Sequence, residues 1–188
     1  MKVTKTDIPD LLIIEPKVFE DSRGYFFESF NLSKYKDLGI DITFIQDNES
    51  KSSFGVIRGL HYQLSPYSQT KLVRAVQGKI LDVAVDIRQN SPTFGKHFSI
   101  ELSTENKIQL LIPKGFAHGF SVLSETATVF YKCDNLYTPE AERGIQYNDP
   151  QLNIDWKINS EQAIISSKDK VYPEFSNAEM NFIYGNIH

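Results

Sequence analysis

The sequence predicts an all-β fold, a jelly roll or small barrel with a few short peripheral helices, and three observations carry that prediction. Apolar residues recur with a period of two: along residues 79–87, Leu81, Val83, Val85 and Ile87 share one face, as in a half-buried strand. Short runs of the same kind follow one another down the chain, with Gly, Pro, Asn or Ser in the gaps. A helical pattern is convincing at one place only. Many short strands separated by turn residues build sandwiches and barrels rather than helical layers.

In chain order, residues 11–15 form an apolar strand that Pro16 stops, and residues 25–30 form an aromatic one that opens after Gly24. Residues 32–39 read as the helix, with Ser33 as its N-cap and Gly39 as its stop. Strands follow over residues 43–46 and 56–61, the second starting after Gly55. Gly78 divides the next two, residues 71–76 and 79–87. A polar stretch separates residues 97–102 from residues 108–112, which end at Pro113, and residues 119–123 and 126–133 close the series. From residue 160 onward only short turns are expected.

A chain of 188 residues suits one domain over 1–188, burying about 70% of the surface its unfolded form exposes. The net charge is −4 and the basic residues are scattered, so a nucleic-acid or polybasic membrane interface is not expected. A single Cys133 excludes an intrachain disulfide framework and a multi-cysteine zinc site, and suits a reducing compartment. Residues 1–7 lack the apolar region of a signal peptide, and no window reads as a membrane span, which makes a soluble, cytoplasmic protein the expectation. Thirteen Phe and nine Tyr are more than a minimal core needs, so some are expected to line a cavity or a subunit interface.

Two stretches stand out, Arg58-Gly59-Leu60-His61-Tyr62-Gln63 and Pro113-Lys114-Gly115-Phe116-Ala117-His118-Gly119-Phe120. Strict alternation sends Arg58 and His61 to opposite faces, unless a bulge at Gly59 re-aims one of them. The spacing Pro113-x-Gly115-x-x-His118 resembles the second motif of cupins, the double-stranded β-helix superfamily. Metal-binding cupins join it to a first motif with His-x-His and a following Glu. Here that stretch offers His61-Tyr62-Gln63 and then Lys71, and an amide with an ammonium makes a poor site for a divalent cation. Acid–base chemistry is the better match. A histidine is the default base near neutral pH, Asp169 is a candidate to fix its tautomer, Tyr131 can return a proton, and Lys71 with His118 can steady an oxyanion. Each residue alone also has an ordinary structural reading, as wall, core, solvated or turn residue.

Taken as an ordered set, Asp21-x-Arg23-Gly24-x-Phe26-x-Glu28, Gln46-Asp47-Asn48-x-Ser50, Arg58-to-His61, Lys71-Leu72-Val73-Arg74, Asp82-to-Asp86, Pro113-to-Phe120, Tyr131-Lys132, Gly144-Ile145 and Asn148-Asp149-Pro150 resemble the dTDP-4-dehydrorhamnose 3,5-epimerase family over roughly the whole chain. The resemblance implies a cupin-type jelly roll that works as a homodimer without metal or organic cofactor. It implies epimerisation of dTDP-4-dehydro-6-deoxy-D-glucose at C3 and C5 to dTDP-4-dehydro-L-rhamnose, in dTDP-L-rhamnose or related deoxysugar biosynthesis. Carried over residue by residue, it makes His61 the general base, Asp169 its partner, Tyr131 the proton donor and Lys71 the ligand of the C4 oxygen. The nucleotide sugar would be held by Arg23, Phe26, Glu28, Gln46, Asp47, Asn48, Arg58, Lys71, His118, Tyr137, Glu142 and Lys168, some from the partner subunit. Three alternatives stay open: inversion at one centre only, a metal-dependent cupin using Gln63 or Glu142 as ligand, and a non-catalytic sugar-nucleotide binder.

Overall fold

The computed structural model describes residues 1–186, so the last two residues of the domain predicted over 1–188 lie outside the described residues. The strands are β1 (Lys2–Lys5), β2 (Leu12–Glu15), β3 (Phe19–Asp21), β4 (Gly24–Phe26), β5 (Gln46–Ser53), β6 (Val56–Gln63), β7 (Lys71–Gln77), β8 (Lys79–Asp86), β9 (His97–Ser103), β10 (Gln109–Ile112), β11 (Phe116–Val122), β12 (Thr126–Cys133), β13 (Glu142–Gly144) and β14 (Ile164–Ile165). They form two open sheets, ordered β1-β2-β10-β7-β12-β5 and β13-β6-β11-β8-β9, with β14 joined to β6 and β3-β4 apart as a hairpin. The predicted all-β jelly roll is therefore borne out, as a sandwich rather than a closed barrel.

The main core lies between the sheets: Val73, Ala75, Leu110, Ile112, Ala127 and Val129 from the first meet Ile80, Ala84, Phe116, Phe120 and Val122 from the second. Full burial of each valine, leucine, isoleucine or phenylalanine among them is worth about 1.5–3 kcal/mol. Both outer faces are covered too. A second cluster sets Leu81, Val83, Val85 and Ile87 against Trp156, Phe175 and Phe182 of the C-terminal segment. The half-buried β8 expected from its alternation is for that reason buried on both faces. On the other side, Ile14, Leu72 and Leu111 pack with Tyr35 of α1 (Leu32–Asp37) and Ile40.

Several local expectations are corrected. The helix is capped by Asn31, whose side chain accepts from the Lys34 amide at 3.2 Å, while Ser33 lies inside the first turn. Residues 43–46 do not form a strand before Gln46, because Ile42 and Phe44 pack as irregular chain onto the outer cluster. The strand expected over 25–30 ends at Phe26, and Phe30 turns instead onto Tyr35 and Phe44, ring centres 4.9 and 5.4 Å away. Among the described residues no helix is long and apolar enough to cross a membrane.

Candidate active site

A cavity of about 430 Å³ opens at one end of the sandwich, and both sheets build it. β7 and β12 contribute Lys71 and Tyr131, β5 contributes Gln46 and Asn48, and β6 and β13 contribute His61 and Glu142 from the opposite side. Tyr137 lines it as well.

The backbone of β6 aims His61. Across the β6–β11 pair His118 stands opposite His61 and Phe120 opposite Arg58, so a step of two on β11 meets a step of three on β6. The extra residue is the bulge that the sequence left open at Gly59. Gly59 has φ +125°, and a Cβ there would come within 2.6 Å of the Gly119 Cα. Only glycine fits, and the bulge brings Arg58 and His61 to one face.

Asp169 holds the imidazole. His61 Nε2 and Asp169 Oδ1 are 2.8 Å apart, and the other carboxylate oxygen accepts from the Gly59 amide at 3.2 Å. Burial pushes the Asp169 carboxyl up, but the bond and charge of His61 and the Gly59 and Ser166 donors more than offset it, leaving its pKa below 3.8. An ionised carboxylate only accepts, so the proton of this bond belongs to Nε2 and Nδ1 is left as the basic atom. A second pair of the same kind, His118 Nε2 and Asp82 Oδ1 at 2.8 Å, is buried in the neighbouring wall. Sequence reading missed Asp82. The available signal was a carboxylate alternating with Ala84 on the inward face of an apolar strand.

Lys71 and Tyr131 face the cavity from the first sheet, with the Lys71 ammonium 5.7 Å from the Tyr131 ring centre. Burial pulls the Lys71 pKa below 10.5, against the opposing pull of Cys133, Asp82 and Glu142. Among the described residues no carboxylate lies within ion-pair distance of its ammonium. Burial raises the Tyr131 phenol above 10.0, partly countered by the Arg58 charge, so the phenol keeps its proton through the neutral range.

The other predicted residues divide. Gln46, Asn48, Tyr137 and Glu142 line the cavity, where the Tyr137 hydroxyl and the Lys168 ammonium both donate to Glu142. Arg58 reaches Ser52 at 3.1 Å beside Tyr131. His118 lines a small recess behind Lys71. Asp47 points to the other face of β5, paired with Lys132 at 2.9 Å, and does not line the cavity. Arg23, Phe26 and Glu28 are not brought there either: Arg23 pairs with Asp21, Glu28 with Lys34, and Phe26 is 67% exposed on the β3–β4 hairpin. Gln63 is occupied by chain-holding bonds, donating to the Tyr67 and Leu136 carbonyls and accepting from the Thr138 amide. Among the described residues no cluster of three His, Cys, Asp or Glu side chains is disposed to hold a metal ion.

Comparisons with known proteins agree on one family. The family model described as dTDP-4-dehydrorhamnose 3,5-epimerase matches residues 5–177. The dTDP-4-dehydrorhamnose 3,5-epimerase of Shigella flexneri is 54% identical over 180 residues, covering 95% of this chain and 98% of its own. Among solved structures, the enzyme of the same name from Elizabethkingia anophelis superposes with a TM-score of 0.90 at 54% identity, covering 94% of this chain and 97% of its own. A dTDP-6-deoxy-D-glucose-3,5-epimerase from Legionella pneumophila, in complex with dTDP-4-keto-L-rhamnose, gives a TM-score of 0.90 at 51% identity, covering 94% and 93%.

Proposed function

The chain belongs to the dTDP-4-dehydrorhamnose 3,5-epimerase family, isomerases of nucleotide sugars, and we propose how its own residues invert dTDP-4-dehydro-6-deoxy-D-glucose at C3 and C5. Both carbons flank the C4 ketone. Removing the proton from either one moves its C–H electrons into a C=C bond with C4 and turns the carbonyl oxygen into an enolate. The substrate supplies its own electron sink.

His61 takes that proton on Nδ1, and Asp169 stabilises the imidazolium that results. Lys71 meets the enolate oxygen with its ammonium, a charge that gains strength in a site stripped of water. Tyr131 then gives its phenolic proton to carbon from the opposite ring face, and Arg58 offsets the phenolate. Exchange with solvent restores both groups. Inversion needs donor and acceptor on opposite sides of the ring. The single observation that best supports the reading is that His61 stands on the second sheet and Tyr131 on the first, with one cavity between them. Positioned acid–base groups typically contribute about 10²–10⁴-fold each.

Gln46, Asn48, Arg58, His118, Tyr137, Glu142 and Lys168 hold the nucleotide sugar in this reading. Arg23, Phe26 and Glu28 act in the cavity of a partner copy, which makes the enzyme a homodimer whose exposed hairpin completes the neighbouring site. Two further aromatic residues of that hairpin, Phe19 and Tyr25, are 54% and 53% exposed, surface that a partner would cover. The test is incubation with dTDP-4-keto-6-deoxyglucose in D₂O, followed by NMR and mass spectrometry. Two deuterons, at C3 and C5, are expected. One deuteron would reduce the enzyme to a single-centre epimerase, and none would overturn the reading.

A further inference from the structure

The strand β13 lies antiparallel beside β6 with Gly144 directly opposite His61. Side chains opposed in this way project from the same face and normally touch. Position 144 has none, and the space is filled from elsewhere: a Cβ built on Gly144 would lie 2.5–2.6 Å from three ring atoms of Tyr172. The backbone of Gly144 is not in the left-handed region, so the aromatic ring is the close contact that demands glycine there. The Tyr172 ring also meets the His61 ring edge-on, centres 5.7 Å apart and planes at 68°.

The segment that delivers Tyr172 is the one that delivers Asp169. A 3₁₀ turn over Asp169–Val171 ends at Tyr172, so one turn sets a carboxylate at the imidazole Nε2 and an aromatic ring against the imidazole plane. Tyr172 does not line the cavity, and its buried hydroxyl lies among the charges of Glu142, Lys168 and Asp169 rather than on the imidazole. Its contact with His61 is made by the ring. We propose that Tyr172, seated in the slot left by Gly144, is a positioning residue that fixes the plane of the His61 imidazole for proton abstraction.

This inference rests on His61 as the base, and its test has one readout that does not involve turnover. Kinetics and His61 ring NMR are compared for Tyr172→Phe, Tyr172→Ala, Gly144→Ala and the double variant, with melting temperature as the check on folding. Phe keeps the ring and should match the wild type in kcat. Ala at 172 should lower kcat by about 10–100-fold with little change in KM, as expected when a reacting group drifts by about an ångström. Gly144→Ala should do the same by evicting the ring, and the double variant should lose no more than either single change, because both remove one interaction. In NMR the protected Nε2–H signal of His61 should persist in Phe and broaden or vanish in Ala. If Ala melts the fold, Tyr172→Leu takes its place with the same expectation. Wild-type kcat in Tyr172→Ala, multiplied losses in the double variant, or an unchanged Nε2–H signal would each overturn the proposal. A wild-type enzyme that exchanges no deuterium would instead sink the epimerase mechanism, while the NMR comparison would still decide the role of Tyr172.

Discussion

Lys71 shows what the chemistry costs at the scale of one residue. In the proposed mechanism its ammonium meets the enolate oxygen, yet burial pulls its pKa below 10.5, which means that the folded protein holds the charged form less readily than the unfolded chain does. The penalty is full below the folded pKa and fades as pH rises from there toward 10.5. Lys71→Met should therefore raise the melting temperature at neutral pH, and the gain should shrink on the alkaline side. The same variant should lose about 10²–10³-fold in kcat. In the wild type, kcat should fall with rising pH before the ordinary lysine value of 10.5, as the ammonium is lost. A melting temperature that drops, or an alkaline limb at or above 10.5, would contradict this account. Asp82 is the residue-scale counterpart that sequence reading passed over: a carboxylate in an apolar strand becomes meaningful only once His118 is seen beside it on β11.

At the scale of elements, the Gly59 bulge is the device on which the geometry turns. Gly59→Ala sets a side chain at φ +125° and 2.6 Å from the Gly119 Cα, with backbone on the far side that cannot swing away. Destabilisation of about 2–4 kcal/mol is expected, together with loss of turnover as His61 is displaced, and chemical denaturation with a parallel assay checks both. Strands with period-two alternation and an apolar face, such as β7, β8 and β12, were legible, as were the motifs on β6 and β11. β5 was not, because Gln46–Ser53 is polar along nearly its whole length and is defined by its pairing with β12 at the sheet edge. β1, β13 and β14 are likewise short and recognisable only by their partners. The exposed hairpin β3–β4 has no buried face at all, so its aromatic residues resembled a core strand in sequence. His61, Lys71 and Tyr131, which the structure brings to one cavity, were legible through motif order, whereas Asp169, bonded to His61, stands in no motif and was named only as a candidate partner. The Gly144–Tyr172 contact was not legible, because 28 positions separate the two residues and a glycine leaves no pattern.

At the scale of the molecule, one chain sets His61 and Tyr131 across one cavity but does not bring there every residue the family resemblance assigns to the nucleotide sugar. Arg23, Phe26 and Glu28 stand on the surface, so a homodimer should let two defective chains repair one another. Coexpression of Arg23→Ala and Lys71→Met chains, each inactive alone, should restore about a quarter of wild-type activity, since half the dimers are mixed and half their sites intact. No recovery would mean that the hairpin does not serve a neighbour. The central claim is also a property of the whole sandwich: two sheets put an imidazole and a phenol on opposite sides of one sugar ring. It is tested most directly by Tyr131→Phe in D₂O, with deuterium content and configuration read together by NMR. Exchange beside the ketone should continue, because His61 still removes and returns protons on its own face, while net inversion should fall by two orders of magnitude or more, about what one positioned acid supplies. Exchange and inversion lost together, or inversion at the wild-type rate, would contradict it.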